Sequence, residues 1–311
     1  MMNDSKSALE DTEREIETQK LSQPLPTLDK VGSYTSYQLL AGQSGFNRAP
    51  ITDCQIKALH DAEAISCWLS EYREQENTHK AYQKEAERFL LWCLLQGKKA
   101  ISDITREDLE RYWDFLSNPT PKEQWCGLPR GKKTRRGSSE WRPFVGPLSE
   151  SARRTTFSIL DSLFRYWVDA GYWRHNPLQL MRRKRTTQLG KEERKLQVQE
   201  RILESDEWAA LLHALESLPD IDHHDQDEKE RLRFLIAMLY FLGLRIGELA
   251  SHTWGSFREV QGHWWFFVRG KGNKIGKVPV NDTLLGIAAR YRIRWGLSSQ
   301  PTPEETRPLI S

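Results

Sequence analysis

Two side chains in one stretch of this sequence are of the type that handles oxyanions. Arg245 sits in the apolar run FLIAMLYFLGLRIGELASHTW (residues 234–254), and Lys271 sits in Gly270-Lys271-Gly272-Asn273-Lys274, some twenty-five residues later. A guanidinium is a fixed, planar cation that can hold two oxygens at once. An ammonium whose pKa is lowered by its surroundings can donate a proton. An arginine in so apolar a run needs a partner, because an unpaired buried charge is costly. Glu248, three residues on along the same helical face, is the local one. Taken singly, each feature also suits a plainer role, Arg245–Glu248 as a structural ion pair and the glycine-rich turn as a soluble hairpin tip.

The elements that must position these groups are legible around them. The run from Phe234 to Tyr240 reads as a helix apolar enough to be almost wholly buried; Gly243 interrupts it, and Arg245 to Leu249 opens a further helical turn. Trp264–Arg269 and Ile275–Val280 read as the strands of a hairpin whose tip carries Lys271 and Lys274.

In this order and spacing, Gly243-Leu244-Arg245-Ile246-Gly247-Glu248-Leu249 and Gly270-Lys271-Gly272-Asn273-Lys274, followed by Val278-Pro279-Val280, resemble the first half of the catalytic domain of tyrosine recombinases, the phage-integrase family. The resemblance implies that Arg245 grips the scissile phosphate of double-stranded DNA, with Glu248 supporting it. It also implies that Lys271 reaches into the minor groove beside the leaving 5′ oxygen. The chemistry suits those residue types. Attack on a phosphodiester adds negative charge to the non-bridging oxygens, which a rigidly held guanidinium stabilises, and the leaving alkoxide needs a proton.

Length and charge are compatible with that reading. The 311 residues allow two domains with extensions, and no apolar run approaches the ~18 residues of a membrane span. The polar, acidic start is not a secretory signal. Cys54, Cys67, Cys93 and Cys126 are scattered without a close pair, so a reduced cytoplasmic protein without a metal or other cofactor is expected. His223 and His224 lie in an acidic stretch, 220–230, read as a loop and not as a metal site. The net charge is only +3, but Lys122–Arg142 holds seven basic residues against two acidic ones, and Arg182–Arg201 eight against three. Positive charge gathered into two connecting segments is the footprint of a nucleic-acid partner, although such runs are also common in solvated linkers.

The remaining pattern is helical. Residues 1–57 read as a poorly ordered leader, broken by Pro24 and Pro26. Apolar stripes mark helices over 62–73, 78–96, 105–116 and 149–171; Thr105 with Asp108 approximates a capping box, and the stripe Phe157, Leu160, Leu163, Phe164 and Trp167 reads as core. This block, 58–181, resembles the family's core-binding domain, which implies a SAM-like bundle. It differs by an insertion, 119–147, expected to stay flexible until its cations meet phosphate. Candidate DNA contacts are Lys132, Lys133, Arg135 and Arg136 in the insertion, Arg153 and Arg154 on the long helix, Arg182, Arg183, Lys184 and Arg185 in a basic linker (182–200), and Lys274. Ser205 is read as the cap of the first helix of the second domain, 201–311. The fold class is thus mainly α, a helical core-binding domain followed by a partial mainly-α catalytic domain with a small antiparallel sheet.

The family's later groups, a His-x-x-Arg helix and a nucleophilic tyrosine, have no counterpart after Val280. Tyr291, between Arg290 and Arg292, arrives too early and reads as an ordinary helix residue, and Gly255-Ser256 stand where the family usually places an acid. Phosphotyrosine strand exchange cannot start without its nucleophile. The expectation is a site-specific recombinase truncated at its C-terminus and unable to cleave, with other recombinase protomers as partners beside DNA. The alternative is a non-catalytic DNA-binding module that occupies attachment sites or inhibits a full-length recombinase. In either case an apolar face of Leu235, Met238 and Leu239 is expected to be poorly covered.

Overall fold

The computed structural model describes residues 25–33, 35–127, 134–181, 203–270 and 274–310. They form two compact units, 25–181 and 203–310. The secondary structure is mainly helical, with one three-stranded antiparallel sheet. No helix of the described residues is long and apolar enough to cross a membrane.

The first unit is a bundle of α2 (Asp61–Ser70), α3 (Glu76–Trp92), α4 (Arg106–Ser117) and α6 (Glu150–Asp169), preceded by the short α1 (Thr35–Leu39), with the short α5 (Lys122–Trp125) before α6. Local signals set its ends. The Thr105 side chain accepts from the Asp108 N–H while Asp108 accepts from the Thr105 N–H, and Ser149 caps α6 through the Ala152 N–H. Gly171 follows α6 at φ +67°, and a Cβ there would lie 2.2 Å from the Asp53 carbonyl oxygen. The core is aromatic: Phe89, Tyr112, Phe164, Trp167 and Trp173 are buried against one another.

Two sequence expectations fail in this unit. The leader does not remain unordered through residue 57. Leu28, Val31 and Tyr37 are buried in the bundle core, and the Leu28 N–H donates to Glu87 of α3 (2.7 Å). Sparse apolar residues in a polar segment suffice when each meets a ready-made pocket. The insertion is likewise folded at both ends. Trp125 and Phe144 are buried against Phe115, Gly127 donates to the Phe144 carbonyl (2.8 Å), and Arg88 donates to the Pro143 carbonyl (2.8 Å). Lys132 and Lys133, with the rest of 128–133, lie outside the described residues.

The buried hub of the unit is Asp61. Its carboxylate accepts from the Ser102 N–H (2.9 Å), the Ser102 hydroxyl and the Tyr172 hydroxyl (2.9 Å), and Arg48 stacks 3.7 Å above the Tyr172 ring. Burial outweighs those bonds and raises the Asp61 pKa to about 6.

The second unit contains α7 (Ser205–Glu216), α8 (His223–Leu242), α9 (Ile246–Ser251), strands β1 (Phe257–Val260), β2 (His263–Arg269) and β3 (Ile275–Pro279), and α10 (Asp282–Arg294). Ser205 opens α7 as its first helical residue, with Glu204 at the cap position. The acidic stretch at 220–230 is not a loop: Asp222 caps α8 through the Asp225 N–H, and most of the stretch forms its first turns. Its acids have partners sixty or more residues away, since Arg290 of α10 pairs with Glu230 (2.6 Å) and Arg294 with Asp227 (2.7 Å). Strand β1 turns into β2 through Gln261 and Gly262, both at positive φ. The register then sets Phe257 opposite Phe266, both fully buried.

The apolar face expected to lie open is largely closed. Met238 is fully buried, while Leu235 and Leu239 are partly buried. The proline-rich segment after α10 folds back over this core. Arg292 of α10, 1% exposed, binds Glu305 through both terminal nitrogens (2.8 and 2.9 Å) and the Ser298 carbonyl through Nε (2.7 Å). The Gly255 N–H donates to the Glu305 carbonyl and the Leu309 N–H to the His252 carbonyl, and the Leu309 side chain is buried. A Cβ at Gly255 would stand 2.6 Å from the Pro303 carbonyl oxygen, so this packing depends on glycine.

Candidate nucleic-acid interface

The apolar helix α8 ends at Gly243, whose left-handed backbone (φ +62°) turns the chain before α9. Leu244 and Leu249 bury, while Arg245 between them takes the N-cap position of α9. The burial expected of Arg245 is therefore wrong: 79% of its side chain is exposed. It escapes the core because it belongs to a helix start and not to the interior of the apolar run. Glu248 is its partner, as the i to i+3 spacing predicts. One carboxylate oxygen accepts from the Arg245 backbone N–H (2.9 Å), and the other from the guanidinium Nη1 (2.7 Å). These two contacts hold the Glu248 carboxyl below the usual carboxylate range. The guanidinium is thus oriented from one side and open to solvent on the rest.

The hairpin stands against the same carboxylate. A Cβ on Gly270 would come within 3.7 Å of Glu248 Oε1, and the Gly270 N–H closes the turn on the Lys274 carbonyl (2.9 Å). Lys274 is exposed; Lys271 lies outside the described residues. On the outer face of the sheet, Lys277 sits 4.4 Å above the Trp265 ring and Arg258 sits 5.1 Å above Phe267.

Sequence reasoning missed one group here. His252, largely buried, follows Glu248 by four residues and faces the same side of the helix. Its Nδ1 lies 2.5 Å from the Glu248 carbonyl oxygen, and its Nε2 accepts the Arg269 N–H (2.8 Å) at the end of β2. The i to i+4 spacing was the available signal, but the partner on β2 is seventeen residues away.

The candidates on the first unit divide. Arg135 is exposed. Arg136 is committed: it donates to both oxygens of the buried Glu87 (2.6 and 3.0 Å) and to Asp29 (2.9 Å), so a phosphate would have to displace two carboxylates. Arg153 stacks on Trp113 (4.5 Å) and Arg154 pairs with Glu150 (2.5 Å). Arg182, Arg183, Lys184 and Arg185 lie outside the described residues.

The sequence is 28% identical over 237 residues to a tyrosine recombinase of Thermosipho africanus (strain TCF52B), an alignment covering 74% of this chain and 65% of that protein. Over that stretch the chain is similar to a tyrosine recombinase. The aligned part spans a little under two thirds of that recombinase's length. No protein-family model matches the sequence. Among solved structures, the XerH site-specific recombinase bound to difH substrate, a pre-cleavage complex, aligns with 86% of this chain and 67% of its own, at 14% identity and a TM-score of 0.46. The integrase from mycobacterium phage Brujita aligns with 77% of this chain and 63% of its own, at 15% identity and a TM-score of 0.26.

Proposed function

We propose that this chain binds double-stranded DNA. Arg245, oriented by Glu248, takes a backbone phosphate, and Lys271 approaches the same phosphate from the hairpin turn. The observation that carries this reading is Arg245 itself, its guanidinium exposed and held by one oxygen of the Glu248 carboxylate while the other oxygen holds its backbone N–H, beside the base of a lysine-bearing hairpin. A cation so placed neutralises a phosphate without first having to be ordered. The basic stretches 130–136 and 182–185 add sequence-independent contacts in this reading, with Arg136 contributing least.

We further propose that the 311-residue chain does not itself cut DNA. The one tyrosine after the hairpin, Tyr291, is 2% exposed and stacked between Phe234 (4.5 Å) and Trp295 (4.3 Å), so its hydroxyl cannot meet a phosphate without local unfolding. That burial favours the non-catalytic role over strand exchange, with the chain occupying recombination sites or competing with an active recombinase. Mobility-shift assays over a salt series, paired with a suicide duplex that traps covalent adducts, test both statements. Salt-dependent retardation without an adduct is expected. Absence of retardation at low salt would refute DNA binding, and a trapped adduct would refute the loss of cleavage.

A further inference from the structure

His252 joins the two parts of the candidate site. Its Nε2 has an N–H donor in front of it, the Arg269 amide at 2.8 Å, and so must be unprotonated. A neutral imidazole then carries its proton on Nδ1, where the Glu248 carbonyl oxygen (2.5 Å) accepts it. The Ser251 hydroxyl, 3.3 Å from Nδ1, also lies close to that carbonyl (3.2 Å) and is compatible with the same tautomer. One imidazole therefore ties the backbone of α9, at the residue whose carboxylate orients Arg245, to the last residue of β2 before the turn that bears Lys271. The ring is held in place by the Phe266 side chain (5.6 Å between centroids) and by the Leu309 N–H on the His252 carbonyl (3.2 Å). The charged group that faces it is Glu248 on α9, while Arg269 on β2 meets it through the backbone N–H.

We infer that His252 is a positioning residue, which fixes the hairpin against the Arg245–Glu248 pair by accepting the Arg269 amide in its neutral, Nδ1-protonated form. It touches no phosphate itself. The inference rests on the DNA-binding reading only for its consequence, because the tautomer and the link to β2 stand on geometry alone. Without an acceptor at the Nε2 position the Arg269 N–H loses its partner, so removing that acceptor should release the hairpin base while leaving the rest of the sheet paired.

The test uses the full chain labelled with nitrogen-15. Long-range spectra should show His252 as the Nδ1–H tautomer. Amide exchange at Arg269 and Gly270 should be slow in the wild type. His252→Gln offers an acceptor near the Nε2 position, so it should keep Arg269 protected. His252→Asn retains only a group near Nδ1, so it should lose that protection. The same Asn variant should bind a mixed-sequence duplex about three- to tenfold more weakly than wild type, with the Gln variant close to wild type. A role in packing alone would affect both variants alike. An Nε2–H tautomer, an unprotected Arg269 amide in the wild type, or equal behaviour of the two variants would overturn the inference. Should His252→Asn fail to fold, the wild-type tautomer and the exchange rate at Arg269 still decide it. Intact links at Arg269 alongside DNA binding that ignores Arg245→Ala would instead refute the DNA reading and leave the link standing.

Discussion

Glu248 meets Arg245 twice, once at its backbone N–H (2.9 Å) and once at its guanidinium (2.7 Å), so the helix cap and the orientation of the cation are one arrangement. Removing the carboxylate would uncap α9 and free the side chain together. Arg245→Ala is expected to weaken duplex binding about tenfold at low salt and to reduce the salt slope by about one phosphate. Arg245→Lys should keep the slope but lose affinity, since a point charge cannot replace the fork. Fluorescence anisotropy across a salt series measures both quantities.

Arg136 is expected to matter for stability more than for DNA. Its pairing with Glu87, which also accepts the Leu28 N–H, ties the insertion and the leader to α3. Arg136→Ala should cost the first unit roughly 1–2 kcal/mol and speed proteolysis of the insertion, leaving the salt slope of binding unchanged. Arg135→Ala should do the reverse. Denaturant titrations and anisotropy on the same two variants separate the cases.

Asp61 should give the first unit a distinctive pH dependence. Its folded pKa of about 6 lies above the ordinary carboxylate value of 3.8, so the folded state holds the proton more tightly than the unfolded chain. The stability from this group is fully present below pH 3.8 and is lost as pH rises through about 6. The change is on the order of 2–3 kcal/mol. Asp61→Asn cannot titrate and should remove that segment of the stability curve, as urea melts at half-unit pH steps would show.

Gly255→Ala probes the returning C-terminal segment. The new methyl would meet the carbonyl oxygens of Pro303 (2.6 Å) and Glu305 (2.7 Å), which are backbone atoms and cannot rotate away. A loss of about 1–3 kcal/mol is expected, with protease cutting within 297–310 well before the sheet. Mass spectrometry of a timed digest would locate the first cuts.

What could be read from the sequence was local. The Thr105–Asp108 cap and the long helix read over 149–171 depend on neighbours within a few positions, and they fall in the structure close to where the residues place them. The Arg245–Glu248 pairing is of the same kind. The errors share a different cause. Leu28 and Val31, Trp125 and Phe144, and the acids of α8 take their structure from partners tens of residues distant, which no window of sequence displays. Arg245 was misplaced because one left-handed glycine, Gly243, redirects the chain within two residues. The role of His252 remained hidden because half of it belongs to the end of a strand.

The returning segment has a practical corollary through Leu309, whose amide is bonded to the carbonyl of the histidine that carries the hairpin. Cargo fused directly behind it would hang from that histidine, and any drag would reach the lysine turn within two bonded steps. Affinity handles and fluorophores belong at the opposite terminus if measured DNA affinities are to describe the protein and not its label.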